Sequence, residues 1–342
     1  MAAKQEGVGR AWIRALKTEP LERLYILYGE ESYRRRTAVS MIRQRLVPDT
    51  GFDWDSVELR GRGVTVDAIA EAISTPPLQA ERKLVLVREF DPIKNDISEL
   101  AAELPADVCL IFDMEDPAWK PDKRTKVYKS IAKYGFFAEF AIASPDELGG
   151  FIKRCFQDRG HTIDQPEIEY LTFLCTHLMD GLLGEIEKIS AYAENRRITR
   201  EDIDAVASRK VEAKVFELCD ELAAGHTGRA LLLLSDLETA REPAVAVTAV
   251  IARQFRQLYA ARLAIQAGRD RAYVMQLTGQ RFPYHATRLM DSARRMPLPL
   301  LREALTACME ADAELKSSRA ADYDTVRMLI MRYAAAAKEV RA

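Results

Sequence analysis

The alternation of short apolar runs with amphipathic segments over roughly the first 140 residues is the feature that most constrains the fold. Runs rich in strand-forming residues lie at Leu24–Tyr28, Trp54–Leu59, Leu84–Val87, Val108–Phe112 and Phe136–Phe140. Helical patterns separate them, at Tyr33–Leu46, Val66–Ile73, Asp96–Leu104 and Asp122–Lys133. Strands joined by crossover helices predict a mostly parallel α/β sheet with helices on both faces.

The strand pattern stops after residue 143. Ser144, Pro145 and Glu147 together predict the start of a helix, and shorter helices are predicted at about 166–178, 182–194 and 200–207. From about residue 211 the apolar stripes lengthen and predict a bundle of about five helices. We therefore predict an α/β domain over 1–142, a small helical domain over 143–209 and an all-helical domain over 210–342.

The composition is that of a globular chain, because apolar residues make up 48% and the formal net charge is only −2. No apolar run approaches the roughly 20 residues that cross a bilayer. The first residues carry no apolar signal core, so we expect a cytoplasmic protein that makes no membrane contact.

The cysteines and histidines give little support for a metal or redox site. The five cysteines stand singly, mostly in apolar periodic segments, and we predict that they are buried. The four histidines are scattered, and His177 beside Leu178 is typical of a hydrogen-bonded core residue. We therefore predict no metal site, no catalytic residues and no cofactor.

The turn after the first predicted strand is where an α/β protein of this kind would hold a phosphate-binding loop. Such a loop needs GxxxxGK[ST], in which glycines admit the phosphates, lysine neutralises them and a hydroxyl holds magnesium. Gly29 matches the first glycine. The places of the second glycine, the lysine and the hydroxyl are taken by Arg34, Arg35 and Arg36. The motif is degenerate, which predicts that the turn binds no nucleotide.

Nearby charges favour the same interpretation. Glu30 and Glu31 would each repel a triphosphate, by about 4 kcal/mol at 4 Å and an effective dielectric constant near 20. The run Leu84–Val87 ends in Arg88, where a magnesium-binding aspartate would be expected. We interpret Asp113, after another apolar run, as a turn residue at a strand end.

Residues 251–302 are strongly basic, with ten arginines, no lysine and two aspartates. One interpretation is a surface for a phosphate backbone or an acidic partner. The other is the solvated faces of amphipathic helices, with Arg253 and Arg256 pointing outward. The sequence does not separate the two.

Several segments, in this order and spacing, resemble the delta subunits of the bacterial DNA polymerase III clamp loader. They are LYILYGEESY at 24–33, STPPLQAERKLVLV at 74–87, GEIEKISAYA at 184–193, ITREDIDAV at 198–206 and AELKSSRAADYDTVRMLIMRY at 313–333. The resemblance implies that 1–142 is a RecA-like AAA+ domain without a functional phosphate loop. It further implies that 143–209 is the helical lid and 210–342 the helical collar through which subunits assemble.

The resemblance also implies the function. Members of this family bind and open the beta sliding clamp so that it can be loaded on primed DNA during replication. Their partners are the tau/gamma and delta-prime clamp-loader subunits. The complex is a nucleotidyltransferase, but this chain is expected to hydrolyse no ATP. An active lid offers an arginine from a GDxR-like segment, and the corresponding Asp180-Gly181-Leu182-Leu183 has leucine in its place.

By the same resemblance the clamp contact maps onto Pro77, Leu78 and Gln79. On the residues alone, Leu78 could equally be a core residue that follows a helix stop. Relatives commonly have a second bulky apolar residue at the place of Gln79. Either the grip is weaker here, or a neighbour such as Ile73 supplies the contact.

Two alternative functions stay open at this point. One is an active AAA+ ATPase with an unusual loop. The other is a DNA-binding or scaffold protein that acts through the arginine-rich helices. As candidate DNA contacts we name Lys316 and Arg319.

Overall fold

The structure is a computed structural model that describes residues 10–47, 54–61, 63–194, 196–317 and 322–341. Contacts divide the chain into two units, Met1–Ser144 with His177–Asp180 and Pro145–Thr176 with Gly181–Ala342. The boundary predicted between residues 209 and 210 lies inside the second unit, and the division into three domains stays a prediction.

A parallel sheet forms the centre of the first unit. The described residues form five strands: β1 (Leu24–Tyr28), β2 (Ser56–Arg60), β3 (Lys83–Arg88), β4 (Val108–Asp113) and β5 (Phe136–Glu139). Their order in the sheet is β2-β3-β4-β1-β5, and every neighbouring pair is parallel. Each predicted apolar run supplies one strand, so the predicted parallel α/β sheet is confirmed.

Helices cover both faces of this sheet. They are α1 (Arg10–Thr18), α2 (Ser32–Leu46), α3 (Val66–Ser74), α4 (Ser98–Ala102) and α5 (Lys126–Ile131). Apolar residues of α1 and α2 join the core on one face, and those of α3, α4 and α5 join the core on the other. Helix α1 was not predicted, and α4 and α5 are shorter than predicted. The Thr65 hydroxyl caps α3 by accepting the Ala68 amide, as predicted.

Because all strands run parallel, the sheet has an amino edge, where every strand begins, and a carboxyl edge, where every strand ends. The segment from Gly29 to Arg36 follows β1 and lies at the carboxyl edge, next to the end of β4. Trp54 and Asp55 precede β2, and residues 75–80 precede β3. These two segments therefore lie at the amino edge, before two adjacent strands.

The second unit is helical. Its helices are α6 (Pro145–Gln157), α7 (Gln165–Leu174), α8 (Met179–Tyr192), α9 (Arg200–Val206), α10 (Val211–Ala224), α11 (Thr227–Thr239), α12 (Ala244–Gln266), α13 (Arg271–Thr278), α14 (Pro283–Arg295), α15 (Leu298–Ser317) and α16 (Tyr323–Arg341). The first residues of α8 belong to the segment counted with the first unit.

The prediction of about five helices after residue 210 is wrong, since the described residues form seven there. Helix α13 has eight residues, too few for an apolar stripe to stand out in the sequence. Gly279 then adopts a left-handed conformation, with φ of 68°, and ends it before α14 begins. The capping box predicted at Thr199 and Asp202 is present at the start of α9.

The predicted fold class is confirmed: a parallel-sheet α/β domain is followed by helical regions. The predicted burial of the cysteines is also confirmed, because all five are buried and none forms a disulfide. Within the described ranges, no helix combines the length and the apolar character needed to span a membrane.

Candidate functional site

The turn that follows β1 is held tightly against the end of β5. Gly29 has φ of 114°, and a Cβ atom at this position would lie 2.4 Å from the Phe140 carbonyl oxygen. The Phe140 carbonyl accepts the Glu31 amide at 3.0 Å, and the Phe140 amide donates to the Tyr28 carbonyl at 2.7 Å. Only glycine fits here, so the residue that matches a phosphate-loop glycine is required by strand packing alone.

Arg35, which takes the place of the motif lysine, is buried at the carboxyl edge. Its Nε donates to Asp113 Oδ1 at 2.8 Å, and its Nη1 donates to the Gly29 carbonyl. Both side chains are almost completely enclosed, with 4% and 1% exposed. The interpretation of Asp113 as a turn residue is therefore wrong: Asp113 ends β4 and holds the Arg35 guanidinium between β4 and β1.

The start of α2 makes a second set of polar contacts. Asp180 accepts a hydrogen bond from the Ser32 hydroxyl and forms an ion pair with the Arg36 guanidinium. Arg36 is half exposed, and Arg34 lies close enough to Glu31 to stabilise its carboxylate form. Arg34, Arg35 and Arg36 thus all interact with acids of the first unit.

Glu31 is fully buried, in contrast to the exposed Glu30. Its Oε1 accepts the Met179 amide at 3.2 Å. Burial, and to a lesser extent the nearby Asp180 carboxylate, raise the pKa of Glu31 to about 7. The carboxyl group is therefore largely protonated below neutral pH and contributes less negative charge than the sequence indicates.

The ends of β2 and β3 carry an exposed charge network. Arg88 pairs with Glu58 at 3.0 Å and Glu115 at 2.9 Å, and Arg60 pairs with Glu89 and Glu115. At the end of β3, where a magnesium-binding protein would carry an aspartate, Arg88 instead forms ion pairs with carboxylates. Within the described ranges, no group of three or more His, Cys, Asp or Glu residues is placed to hold a metal ion.

The second candidate site is the tip, which we define as residues 75–80 before β3. Leu78 at its centre is 71% exposed, so the interpretation of Leu78 as a core residue is wrong. Gln79 is exposed and Pro77 is half-buried. Ile73 is buried in the core under the sheet, so it is unable to supply a second apolar contact.

Asp55 fixes the backbone of the tip. Its carboxylate accepts three successive backbone amides, from Leu78 at 2.6 Å, Gln79 at 2.8 Å and Ala80 at 2.7 Å. These hydrogen bonds, the one from Leu78 most of all, lower the pKa of Asp55, and Lys83 adds to the effect. The Lys83 ammonium also donates to the Thr75 carbonyl at 3.2 Å. The tip is thus fastened at both ends before its leucine meets any partner.

The sequence analysis missed Asp55. The residue precedes a strand, as many aspartates do, and its partners lie 23 to 25 positions further along the chain. Only the pairing of β2 with β3 brings them together, and no local pattern reports that pairing.

The basic segment 251–302 is partly neutralised within the second unit. Asp220 pairs with Arg288 at 2.8 Å and with Arg295 at 3.7 Å. The Arg288 guanidinium also lies over the rings of Phe173 and Phe216, each about 5 Å away. Arg253 pairs with Glu212 and Arg294 with Asp291, both at exposed positions. Part of the positive charge therefore serves packing inside this unit, and both interpretations of the segment stay open.

Only one of the two candidate DNA contacts, Lys316, lies within the described residues. Lys316 lies in the last turn of α15 and pairs with Asp312 at 2.7 Å, one helical turn earlier. Arg319 lies outside the described residues.

We predict that Arg35→Leu destabilises the first unit by about 3–5 kcal/mol, because the buried Asp113 carboxylate loses its hydrogen-bonded cation and keeps only Arg88, 3.9 Å away. Adding Asp113→Asn should restore most of this loss. All three tryptophans lie in the first unit, so urea unfolding followed by tryptophan fluorescence measures its stability. Arg36→Leu is the matched control, since loss of its half-exposed ion pair should cost about 1 kcal/mol or less. Equal effects of the two arginine variants would contradict the burial argument.

We predict that the free energy of unfolding falls as the pH rises from about 4.5 to 7, because folded Glu31 holds its proton more tightly than the unfolded chain does. Glu31→Gln should remove this decline. The variant should match the parent near pH 4 and exceed it by about 2–3 kcal/mol above pH 7. Urea unfolding across this pH range tests the prediction. The exposed neighbour Glu30 provides the control: Glu30→Gln should have the same free energy of unfolding as the parent at every pH. If Glu31→Gln also follows the parent at every pH, the prediction is wrong.

Comparisons with known proteins agree on one family. Residues 212–333 match the family model described as the DNA polymerase III delta subunit, C-terminal domain. The DNA polymerase III subunit delta of Bacillus subtilis (strain 168) is 25% identical over 318 residues, which cover 90% of this chain and 91% of the relative. The probable DNA polymerase III subunit delta of Aquifex aeolicus (strain VF5) is 22% identical over 275 residues, or 76% of each chain.

A solved structure shows the same fold. The Bacillus subtilis DNA clamp loader delta protein matches with a TM-score of 0.56 and 21% identity, covering 94% of this chain and 98% of that protein. The match extends through the α/β unit and the helical region, so the order of elements described above is shared along nearly the whole length. The match of residues 212–333 to the C-terminal domain model, and two relatives aligned along most of the sequence, show that this chain is similar to DNA polymerase III delta subunits.

Proposed function

We propose that this chain binds the beta sliding clamp through its tip and opens the clamp so that it can be loaded on primed DNA. The chain itself hydrolyses no ATP. Its partners are the tau/gamma and delta-prime clamp-loader subunits, joined through the helices of the second unit. The resulting complex is a nucleotidyltransferase, in which this subunit contributes movement instead of chemistry.

The exposed Leu78 is the observation that carries the proposal. A leucine that is 71% exposed gains about 1.5–3 kcal/mol when a partner buries it fully. The three hydrogen bonds to Asp55 fix the backbone on which it stands, so little conformational entropy remains to be lost on binding. A rigid apolar projection of this kind fits an apolar pocket on a partner protein.

The carboxyl edge supports the proposal that the chain uses no nucleotide of its own. A triphosphate held after β1 would need to displace the Arg35 guanidinium from Asp113 and from the Gly29 carbonyl. The same segment binds Asp180 through Ser32 and Arg36. These internal contacts replace those that a bound phosphate would make, and they disfavour the alternative of an active ATPase.

The path from the tip to the sheet is short and rigid. The Lys83 ammonium holds the Thr75 carbonyl, and the Leu84 amide donates to the Asp55 carbonyl at 2.8 Å. Lys83 and Leu84 begin β3, which lies between β2 and β4. If the first unit rotated as a rigid body, the tip and a clamp bound to it would therefore move with the sheet, because no flexible linker separates the tip from β3.

Assembly through the second unit is supported by the match of residues 212–333 to the family's C-terminal domain. Clamp binding and assembly are thus assigned to separate units. A variant of the tip should affect one and spare the other.

We predict that Leu78→Asp weakens binding of the full chain to purified beta clamp at least 10-fold, because a charged group would have to be desolvated where a leucine was buried. Biolayer interferometry with immobilised clamp measures the effect. Leu232→Asp is the matched control, since Leu232 is 68% exposed in α11 of the second unit and should leave clamp binding unchanged. Parental affinity of Leu78→Asp would contradict the assignment of the tip.

We also predict that the chain shows no saturable, magnesium-dependent binding of ATP at micromolar concentrations. Equilibrium titration with a fluorescent ATP analogue, with and without Mg²⁺, tests this. Tight, magnesium-dependent binding of ATP by the parent chain would favour the ATPase alternative.

A further inference from the structure

Large exposed apolar side chains lie along one edge of the sheet in the first unit. Among the described residues of this unit, the large apolar side chains that are exposed are Trp54, Leu78 and Tyr134, with 59%, 71% and 42% of their surface accessible to water. Trp54 precedes β2, Leu78 precedes β3 and Tyr134 precedes β5. All three therefore lie at the amino edge of the sheet, opposite the segment that resembles a phosphate loop.

The order of the strands separates these side chains into a pair and a single residue. Strands β2 and β3 are adjacent, with Ser56 opposite Leu84. Strand β5 lies at the other side of the sheet, four strand positions from β2, or about 19 Å at the usual spacing of about 4.8 Å. Trp54 and Leu78 thus share one corner, and Tyr134 lies at the other.

Asp55 connects the pair directly. It follows Trp54 in the chain, so the two Cα atoms are about 3.8 Å apart. Its carboxylate accepts the Leu78 amide at 2.6 Å, and its own side chain is 3% exposed. The buried carboxylate, with three short hydrogen bonds, fixes the backbone of the tip, and the Asp55 carbonyl accepts the Leu84 amide at 2.8 Å. The exposed leucine and the residue that precedes Asp55, the exposed Trp54, are therefore connected through Asp55.

We propose that Trp54 and Leu78 form a single clamp-binding surface, in which the indole is the second apolar anchor beside the leucine. The proposal rests on the function proposed above and commits to the sliding clamp as the occupant of the surface. Ile73, the neighbour considered earlier for this role, is buried, and Gln79 offers an amide instead of an apolar group.

Physical considerations favour an indole in this role. Tryptophan buries about 150–250 Å² when enclosed, more than a leucine offers, and it is over-represented among residues that dominate binding energy. An exposed tryptophan on a fixed turn keeps much of its apolar area in water until a partner covers it. Its side chain has only two rotatable bonds, so little freedom is lost on binding.

The first test is the affinity of the full chain for purified beta clamp. Trp54→Ala should weaken binding roughly 10- to 100-fold, and Trp54→Phe should lose less because it keeps an aromatic ring. Tyr134→Ala is the matched control, an exposed aromatic residue at the opposite corner of the same edge, and should bind as the parent does. Thermal unfolding of each variant, expected to match the parent, shows that any loss of binding is local.

A direct readout uses 5-fluorotryptophan incorporated into this chain and unlabelled clamp. The chain has three tryptophans, so three ¹⁹F resonances are expected, and Trp54→Phe assigns one of them. Trp12, which stacks on Phe136, and Trp119, whose indole donates to Asp91 at 2.9 Å, are both less exposed than Trp54. Adding clamp should shift and broaden the Trp54 resonance alone.

The outcomes separate this inference from the function on which it rests. Parental affinity of Trp54→Ala together with weak binding of Leu78→Asp would overturn the inference and leave the proposed function standing. An unchanged Trp54 resonance in saturating clamp would also overturn the inference. Parental affinity of Leu78→Asp would overturn the proposed function, and the inference would fall with it.

Discussion

The parallel direction of the described strands is the constraint on which the rest of this structure depends. It gives the sheet two chemically different edges and places the residues of interest at one or the other. Segments that follow strands gather at the carboxyl edge, where related nucleotide-binding folds hold phosphates. Segments that precede strands gather at the amino edge, where the tip and its support lie. One sheet thus separates the remnant of a nucleotide loop from the proposed clamp-binding surface by the length of a strand.

At the carboxyl edge, contacts within the chain occupy the turn that lies where a phosphate-binding loop would be expected. Gly29 is still needed, since the turn passes too close to Phe140 for any other residue. The Arg35 guanidinium lies between Asp113 and the Gly29 carbonyl, so a side chain supplies the positive charge that these groups require. The buried pair is costly to break because each partner would be left without its counter-charge. The geometry of this turn therefore reflects strand packing and a buried ion pair.

The amino edge differs from the carboxyl edge because it exposes large apolar side chains to water, while the polar backbone groups of the tip are hydrogen-bonded within the chain. Asp55 saturates the amides of the tip and Lys83 saturates the Thr75 carbonyl. No polar backbone group of this set needs a partner protein, so in the proposed function the apolar side chains would supply the driving force for association. A surface held in this way is rigid, and the proposed opening of a clamp by contact would require that rigidity.

How much of this could be read from the sequence differs between the fold and the sites. The apolar runs, Gly29 and the three arginines predicted the sheet, the turn after β1 and a motif without its lysine, because these depend on neighbours within a few residues. The cap at Thr199 was predictable for the same reason.

The helix count after residue 210 was missed because α13 is too short to show a period. The roles of Asp113 and Asp55 were missed because each binds residues far along the chain, and strand pairing alone brings those partners within reach. The sequence by itself determined which elements form and which motif is broken, since local periodicity and residue type decide both. Only the tertiary structure decided that Leu78 is exposed, that Ile73 is buried and that Trp54 stands beside the tip, because burial depends on what the folded chain packs against each side chain.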